Sequence, residues 1–77
     1  MNKIRVFSTM TCPYCYMLKD FLKAKNVKFE DIMVDQDQNA AMEMVRISGQ
    51  RGVPVAEVNG QVIVGFDQPR IEAALSA

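Results

Sequence analysis

The chain of 77 residues has no histidine and no tryptophan, and it has only two cysteines. The absence of histidine removes the usual proton carrier of active sites and a common metal ligand. The sequence has no glycine-rich phosphate loop, and no apolar run approaches the roughly 20 residues that cross a bilayer. Its net charge is zero, with both signs interspersed. These features argue against nucleic acid or a membrane as the main partner.

One small domain is expected over residues 1–77, because no repeat, linker or low-complexity stretch interrupts the chain. The N-terminus leads directly into an alternating segment without a signal-peptide pattern, so we expect a cytoplasmic protein. Cellular thiols keep structural disulfides rare in that compartment. A close pair of cysteines there is more typical of catalysis.

The hydrophobic pattern predicts seven elements in the order β-α-β-α-β-β-α. Strands are expected at 3–7, 27–34, 53–58 and 61–64, with helices at 13–26, after Asp37 to about Gly49, and after Asp67. The first β-α-β unit should be a parallel crossover, and Asn59-Gly60 should turn an antiparallel hairpin into the same sheet. The expected fold class is therefore α/β, with a four-stranded mixed sheet, the first strand inside it and helices on both faces.

Each predicted helix has an apolar face. In the first helix the predicted inward residues are Met17, Leu18, Phe21 and Leu22. The residues predicted to face water there are Lys19, Asp20, Lys23 and Lys25. The predicted inward residues of the later helices are Ala41, Met44 and Val45, then Ile71, Ala74 and Leu75.

The segment Cys12-Pro13-Tyr14-Cys15 places both cysteines where the first strand gives way to the first helix. The unpaired amides of that first turn and the helix dipole favour a thiolate at Cys12, and the thiolate is the reactive form. Cys15 lies one turn later, within disulfide reach and more buried. Cys12 is therefore predicted to attack a substrate disulfide and Cys15 to resolve the mixed disulfide. Pro13 suits the first helical position.

A structural disulfide and a zinc site are less favoured roles for the cysteine pair than redox exchange. A structural disulfide closing so short a loop constrains little chain entropy. A zinc site usually needs four ligands, and the chain supplies two thiols. A cluster shared between two chains escapes that count and stays open as an alternative.

Two further segments are candidate parts of the site. Val53-Pro54 is either ordinary strand punctuation or a cis proline opposite the thiols, with the Val53 backbone free to pair with an extended peptide. Gly65-Phe66-Asp67 is either a simple turn and helix cap or a cradle for a carboxylate. Tyr14 and Phe66 are either exposed contacts beside the thiols or core residues.

Together, Thr11-Cys12-Pro13-Tyr14-Cys15, Val53-Pro54 and Gly65-Phe66-Asp67 resemble the glutaredoxins over essentially the whole chain. The short length and the ending look most like the small glutaredoxin-like proteins of YruB type. The resemblance implies a thioredoxin fold, dithiol–disulfide exchange without a bound cofactor or metal, and a cis bond before Pro54. It also implies glutathione contacts at Tyr14, at Val53 and in the turn from Gly65 to Asp67.

The chain departs from the glutaredoxin pattern in two places. Thr9 stands where many members carry a lysine that pairs with a glutathione carboxylate, and Val64-Gly65-Phe66-Asp67-Gln68 replaces Gly-Gly-x-Asp-Asp. Arg51 is a candidate source of the missing positive charge. Gly65-Phe66 also resembles the redoxins that serve ribonucleotide reductase and take electrons from NADPH-dependent thioredoxin reductase. The physiological reductant is therefore open between glutathione and thioredoxin reductase.

The favoured hypothesis is a monomeric oxidoreductase that reduces disulfide-containing client proteins or glutathione mixed disulfides through Cys12 and Cys15. One alternative is a dedicated electron donor to ribonucleotide reductase or a similar enzyme. A second alternative is a dimeric iron–sulfur carrier in which Cys12 of each chain holds the cluster.

Overall fold

The computed structural model describes residues 2–76 and shows the predicted order of strands and helices. The elements are β1 (Ile4–Ser8), α1 (Pro13–Ala24), β2 (Glu30–Met33), α2 (Gln38–Ser48), β3 (Val55–Val58), β4 (Gln61–Val64) and α3 (Gln68–Ser76). Two strands are shorter than predicted. β2 begins only at Glu30, and β3 begins after Pro54, whose ring nitrogen has no hydrogen to donate to a neighbouring strand.

The four strands form one mixed sheet in the order β2-β1-β3-β4. β1 pairs in parallel with β2 and antiparallel with β3, and β3 and β4 form the hairpin. The prediction that the first strand lies inside the sheet is confirmed. The carboxyl end of this central strand delivers the chain to the two cysteines.

Hydrophobic clusters cover both faces of the sheet, which confirms the predicted layers. Ile4 and Val6 of β1 point toward α1 and α3, in a cluster that includes Leu22 and Ile71. Phe7 points to the opposite face, where it packs with Met44 of α2. Within residues 2–76, none of the helices has the length and apolar content of a membrane span.

Residues in the left-handed backbone conformation, with positive φ, lie at the turns that the sequence predicts. Gly49 caps α2 with φ 74°, and Asn59 and Gly60 turn the hairpin with φ 51° and 89°. The Asn59 side chain accepts a hydrogen bond from the Lys3 amide at 2.9 Å and donates one to the Ala74 carbonyl at 3.1 Å. The hairpin turn is thereby joined to the start of β1 and the end of α3.

The predicted faces of α1 are wrong at two positions. Lys19 was predicted to face water, yet only 7% of it is exposed, whereas Met17 was predicted inward and is 48% exposed. The buried residues of this helix are Cys15, Leu18, Lys19 and Leu22. This i, i+3, i+4, i+7 set is a helical stripe rotated by one position from the predicted one. An acidic partner for Lys19, described below, makes its burial possible.

The faces of α2 and α3 are close to the predicted ones. In α2 the fully buried residues are Ala40 and Met44, and the predicted Ala41 is only half-buried, at the side of a groove. In α3, Ile71 and Ala74 are buried.

The corrected rotation of α1 is testable with two neighbouring substitutions. Leu18→Ala should lower the free energy of unfolding by about 2–5 kcal/mol, because it empties a fully buried site. Met17→Ala should change it by no more than about 0.5 kcal/mol, because that side chain is half in water. Denaturant unfolding of both variants measures the difference. Equal losses would contradict the rotation described here.

Candidate active site

Cys12 is the N-cap of α1 and its sulfur takes part in the cap. Its backbone is extended, with φ −106° and ψ 104°, and its Sγ accepts a hydrogen bond from the Cys15 amide at 3.2 Å. Its carbonyl accepts the amides of Cys15 and Tyr16 at 3.1 and 3.3 Å. Pro13 occupies the first helical position, as predicted. An amide dipole at the positive end of a helix therefore points at the Cys12 sulfur, which stabilises negative charge there.

The two thiols differ in their access to solvent. Cys12 is half-buried, whereas Cys15 has no exposed surface. Cys15 faces inward because it begins the buried stripe of α1. A substrate disulfide can therefore reach the sulfur of Cys12 first.

Burial raises the pKa of the Cys15 thiol to about 12. The hydrogen bond and the charge of Cys12 contribute to this rise, since a second anion beside the first is disfavoured. Two groups act in the opposite direction: the backbone amide of Thr9 and the positive charge of Lys19. In the dithiol form, Cys15 is thus protonated at neutral pH.

The other side of the site is the loop that contains the cis Val53–Pro54 peptide bond. The Cys12 thiol donates to the Val53 carbonyl with a sulfur–oxygen distance of 3.9 Å. The Gly65 amide donates to the Pro54 carbonyl at 2.8 Å, where Gly65 has φ 84°. The fold thereby brings the thiols, the proline loop and the glycine turn to one place, as the sequence predicted.

Gln50 fixes the backbone just before Val53. Its side-chain oxygen accepts from the Gly52 amide at 2.6 Å, and its amide nitrogen donates to the Gly52 carbonyl at 3.0 Å. Ser48 adds a bond from its hydroxyl to the Gln50 carbonyl at 3.0 Å. No sequence pattern predicts this role, because a glutamine in a loop is compatible with many contacts.

The turn after β4 has a structural part and an exposed part. Phe66 packs edge-on against Phe21 at a centroid distance of 5.8 Å, so it contributes to the core. The Asp67 carboxylate accepts from the Arg70 amide at 3.3 Å and caps α3. The predicted cap is confirmed. Of the two readings of Phe66, the structure supports the one in which its ring packs against the hydrophobic cluster.

The remaining predicted residues lie at the surface. Tyr14 is 62% exposed beside Cys12, and Thr11 is exposed in the turn before it. Arg51 lies in a groove of about 550 Å³ against α2, which Arg46 also lines. Within residues 2–76, no group of three or more histidine, cysteine, aspartate or glutamate side chains is placed to hold a metal ion.

The sequence analysis did not identify several polar groups around the two cysteines. The Met10 amide donates to the Asp35 carboxylate at 3.1 Å, and the Tyr16 hydroxyl donates to the Met10 carbonyl. Lys19, one helical turn after Cys15, forms a polar network with Ser8 and Asp31. The four-residue spacing from Cys15 to Lys19 was the available signal, since it places both on one helical face.

Comparison with known proteins identifies the family. The glutaredoxin family model matches residues 4–63, which is most of the chain. This chain belongs to the glutaredoxin family. A glutaredoxin-like 8.6 kDa protein of the rubredoxin operon of Clostridium pasteurianum, described as uncharacterized, is 44% identical over 69 residues, covering 90% of this chain and 92% of that protein. Members of this family are thiol oxidoreductases.

Solved structures confirm the thioredoxin fold. A variant of the thioredoxin-like protein BC3987 matches with a TM-score of 0.91 and 30% identity, covering 99% of this chain and 97% of that one. NrdH-redoxin from Escherichia coli, a glutaredoxin-like protein with a thioredoxin-like activity profile, matches with a TM-score of 0.81 and 27% identity over 92% of each chain.

Alkylation should separate the two thiols. Iodoacetamide at neutral pH is expected to label Cys12 alone in the reduced protein, because the pKa of Cys15 is raised to about 12 and its sulfur is buried. Mass spectrometry of the labelled peptides measures this. Unfolding in denaturant should make both thiols reactive, and the Cys12→Ser variant should stay unlabelled while folded. Labelling of both thiols at the same rate in the folded protein would contradict the assignment.

Proposed function

We propose that this protein is a thiol–disulfide oxidoreductase that reduces protein disulfides or glutathione mixed disulfides by cycling Cys12 and Cys15 between dithiol and disulfide. Its clients are disulfide-containing proteins, and electrons return from glutathione or from thioredoxin reductase. The proposal rests on the contrast between an accessible sulfur at the start of α1 and a buried one a single turn later.

The reaction has two displacement steps. The Cys12 thiolate attacks a substrate disulfide, forms a mixed disulfide and releases one substrate sulfur as a thiolate, which takes a proton. Cys15 then loses its proton and attacks the Cys12 sulfur, forming the Cys12–Cys15 disulfide and releasing the second substrate sulfur. Two electrons pass to the substrate, and the protein is left oxidised.

The backbone around Cys12 suits a peptide substrate. The Val53 carbonyl oxygen lies 3.9 Å from the Cys12 sulfur. The side chain of Gln50, bonded to Gly52, holds the loop that carries Val53. An extended peptide pairing with the Val53 backbone would bring its own disulfide to Cys12. The exposed ring of Tyr14 offers an apolar contact next to the attacked bond.

Substitution of each cysteine tests the assigned roles. Cys12→Ser should abolish all turnover, because no other accessible thiol starts the reaction. Cys15→Ser should block protein-disulfide reduction and retain some removal of glutathione from mixed disulfides, since free glutathione can resolve that intermediate. Insulin reduction and a glutathionylated-peptide assay measure the two activities. Equal residual activity of the two variants would refute the order of attack.

Glutathione is one candidate reductant, and Arg51, which lies two residues before Val53, lines the groove against α2. Arg51 and Arg46 both line this groove, and guanidinium groups bind carboxylates such as the two of glutathione. The Arg46 guanidinium already lies 3.5 Å from the Glu43 carboxylate. Arg51 is therefore the better candidate for a carboxylate of the tripeptide.

Thioredoxin reductase is the second candidate reductant, and this version makes the protein a dedicated electron donor. Two observations favour it: Thr9 stands in place of the lysine common in glutaredoxins, and the fold matches NrdH-redoxin, whose activity profile is thioredoxin-like. In this case the protein would serve a reductase enzyme such as ribonucleotide reductase.

A reductant comparison decides between the two candidates. With glutathione, Arg51→Gln should raise the KM for glutathione roughly two- to fivefold, as expected for an exposed ion pair of about 0.5–1 kcal/mol. Lys28→Gln makes the same charge change at an exposed position two residues before β2 and should leave that KM unchanged. Turnover with thioredoxin reductase and NADPH, but not with glutathione, would instead establish the dedicated-donor version.

A further inference from the structure

Lys19 is a buried cation beneath the active-site thiols. Its Nζ lies 3.1 Å from Asp31 Oδ2 and donates to Ser8 Oγ at 3.3 Å, and the Ser8 hydroxyl donates to Asp31 Oδ1 at 3.0 Å. The lysine side chain is 9% exposed and the aspartate side chain 44%. Burying an ammonium group is expensive, and an apolar residue of similar size often stabilises such a site more. The ammonium also lies 5.0 Å from the centroid of the Tyr16 ring, but an apolar side chain would fill this stripe without the cost of burying a charge.

The cation lies one helical turn beyond Cys15 on the same buried stripe of α1. Because both residues lie on one face of α1, four positions apart, the positive charge of Lys19 favours the Cys15 anion. Asp31 lies on β2, and its side chain is far more exposed to solvent than that of Lys19. Much of the Asp31 charge is thus screened by water, while the shielded cation is screened less.

The resolving step is where this charge matters. Cys15 must become an anion while it is buried, and burial is the largest obstacle. Once Cys12 is in a mixed disulfide it carries no charge and no longer opposes ionisation of Cys15. The Thr9 amide and the Lys19 ammonium then favour the Cys15 anion.

We infer that Lys19 is a positioning residue for the resolving step, where its ammonium, held by Ser8 and Asp31, stabilises the Cys15 thiolate that attacks Cys12. This inference rests on the proposed function. In the step the Cys15 proton passes to solvent, the Cys12–Cys15 bond forms, the bond from Cys12 to the substrate sulfur breaks, and that sulfur leaves as a thiolate. Lys19 makes no bond to substrate.

A two-phase reaction isolates the step. Less than one equivalent of 5,5′-dithiobis(2-nitrobenzoate) is mixed with the reduced protein and absorbance is followed by stopped flow. Attack by Cys12 releases the first thionitrobenzoate anion, and attack by Cys15 on the resulting mixed disulfide releases the second. The second phase, measured across a pH series, reports the resolving step alone.

The ion pair can be broken from either side, and the two variants should change the second phase in opposite directions. Lys19→Met should slow it roughly three- to tenfold near neutral pH and move its pH profile upward, as a less acidic thiol would do. Asp31→Asn should leave it as fast or faster, with the profile moved downward, because the cation then acts on Cys15 without its counter-charge. Lys19→Arg should keep a rate close to that of the parent protein.

Lys23→Met is the matched control, because it removes an exposed cation from the same helix. It should change neither phase. If Lys19→Met and Asp31→Asn both slow the second phase and leave its pH profile unchanged, the ion pair only packs α1 against the sheet. That result would overturn the inference. If Lys19→Met does not fold, Asp31→Asn decides: a second phase slower than that of the parent protein overturns the inference.

The first phase separates this inference from the proposed function. Two normal phases with a second phase indifferent to the charge at position 19 would overturn the role of Lys19 and leave the dithiol cycle intact. Absence of a first phase that depends on Cys12 would remove the cycle itself, and the role of Lys19 with it.

Discussion

The hydrogen bond from the Cys15 amide to the Cys12 sulfur is the interaction on which the site depends. It exists because α1 begins at Pro13, directly after a residue with extended backbone, so a side chain at position 12 meets the unpaired amides of the first turn. Moving the start of the helix by one residue would take the sulfur out of this arrangement. The central position of β1 and the loop around Pro54 then bring a second backbone segment against the same sulfur.

The same helix gives its two thiols opposite environments. One turn of α1 carries the chain from the solvent-facing cap to the buried stripe, so Cys15 shares its surroundings with the hydrophobic core. A buried thiol that must ionise needs compensating polar groups, and the Thr9 amide and Lys19 supply them. The polar cluster under α1 is thus part of the buried interior and, in the proposed cycle, it also acts in the resolving step.

Most of the fold followed from local sequence signals. Alternation marked β1, Asn59-Gly60 marked the hairpin, and Gly49 marked the end of α2. The rotation of α1 did not follow, because a lysine four residues after a buried cysteine looks solvent-facing until Asp31 of a different strand is placed beside it. The role of Gln50 was hidden for a related reason, since its partners depend on the path of a loop. The place of Phe66, in the core or at the surface, depended on its contact with Phe21, which the sequence does not reveal.

Asn59 has a consequence for how this protein can be handled and tethered. Its bonds to Lys3 and Ala74 gather the beginning of the first strand and the last turn of the final helix at one pole of the molecule. The antiparallel register of β1 and β3 puts that pole opposite the sulfur atoms, because Ile4 pairs with Val58 while Phe7 pairs with Val55. A label, fusion partner or solid support attached near Asn2 or Ser76 therefore leaves the reactive pole open to large macromolecules.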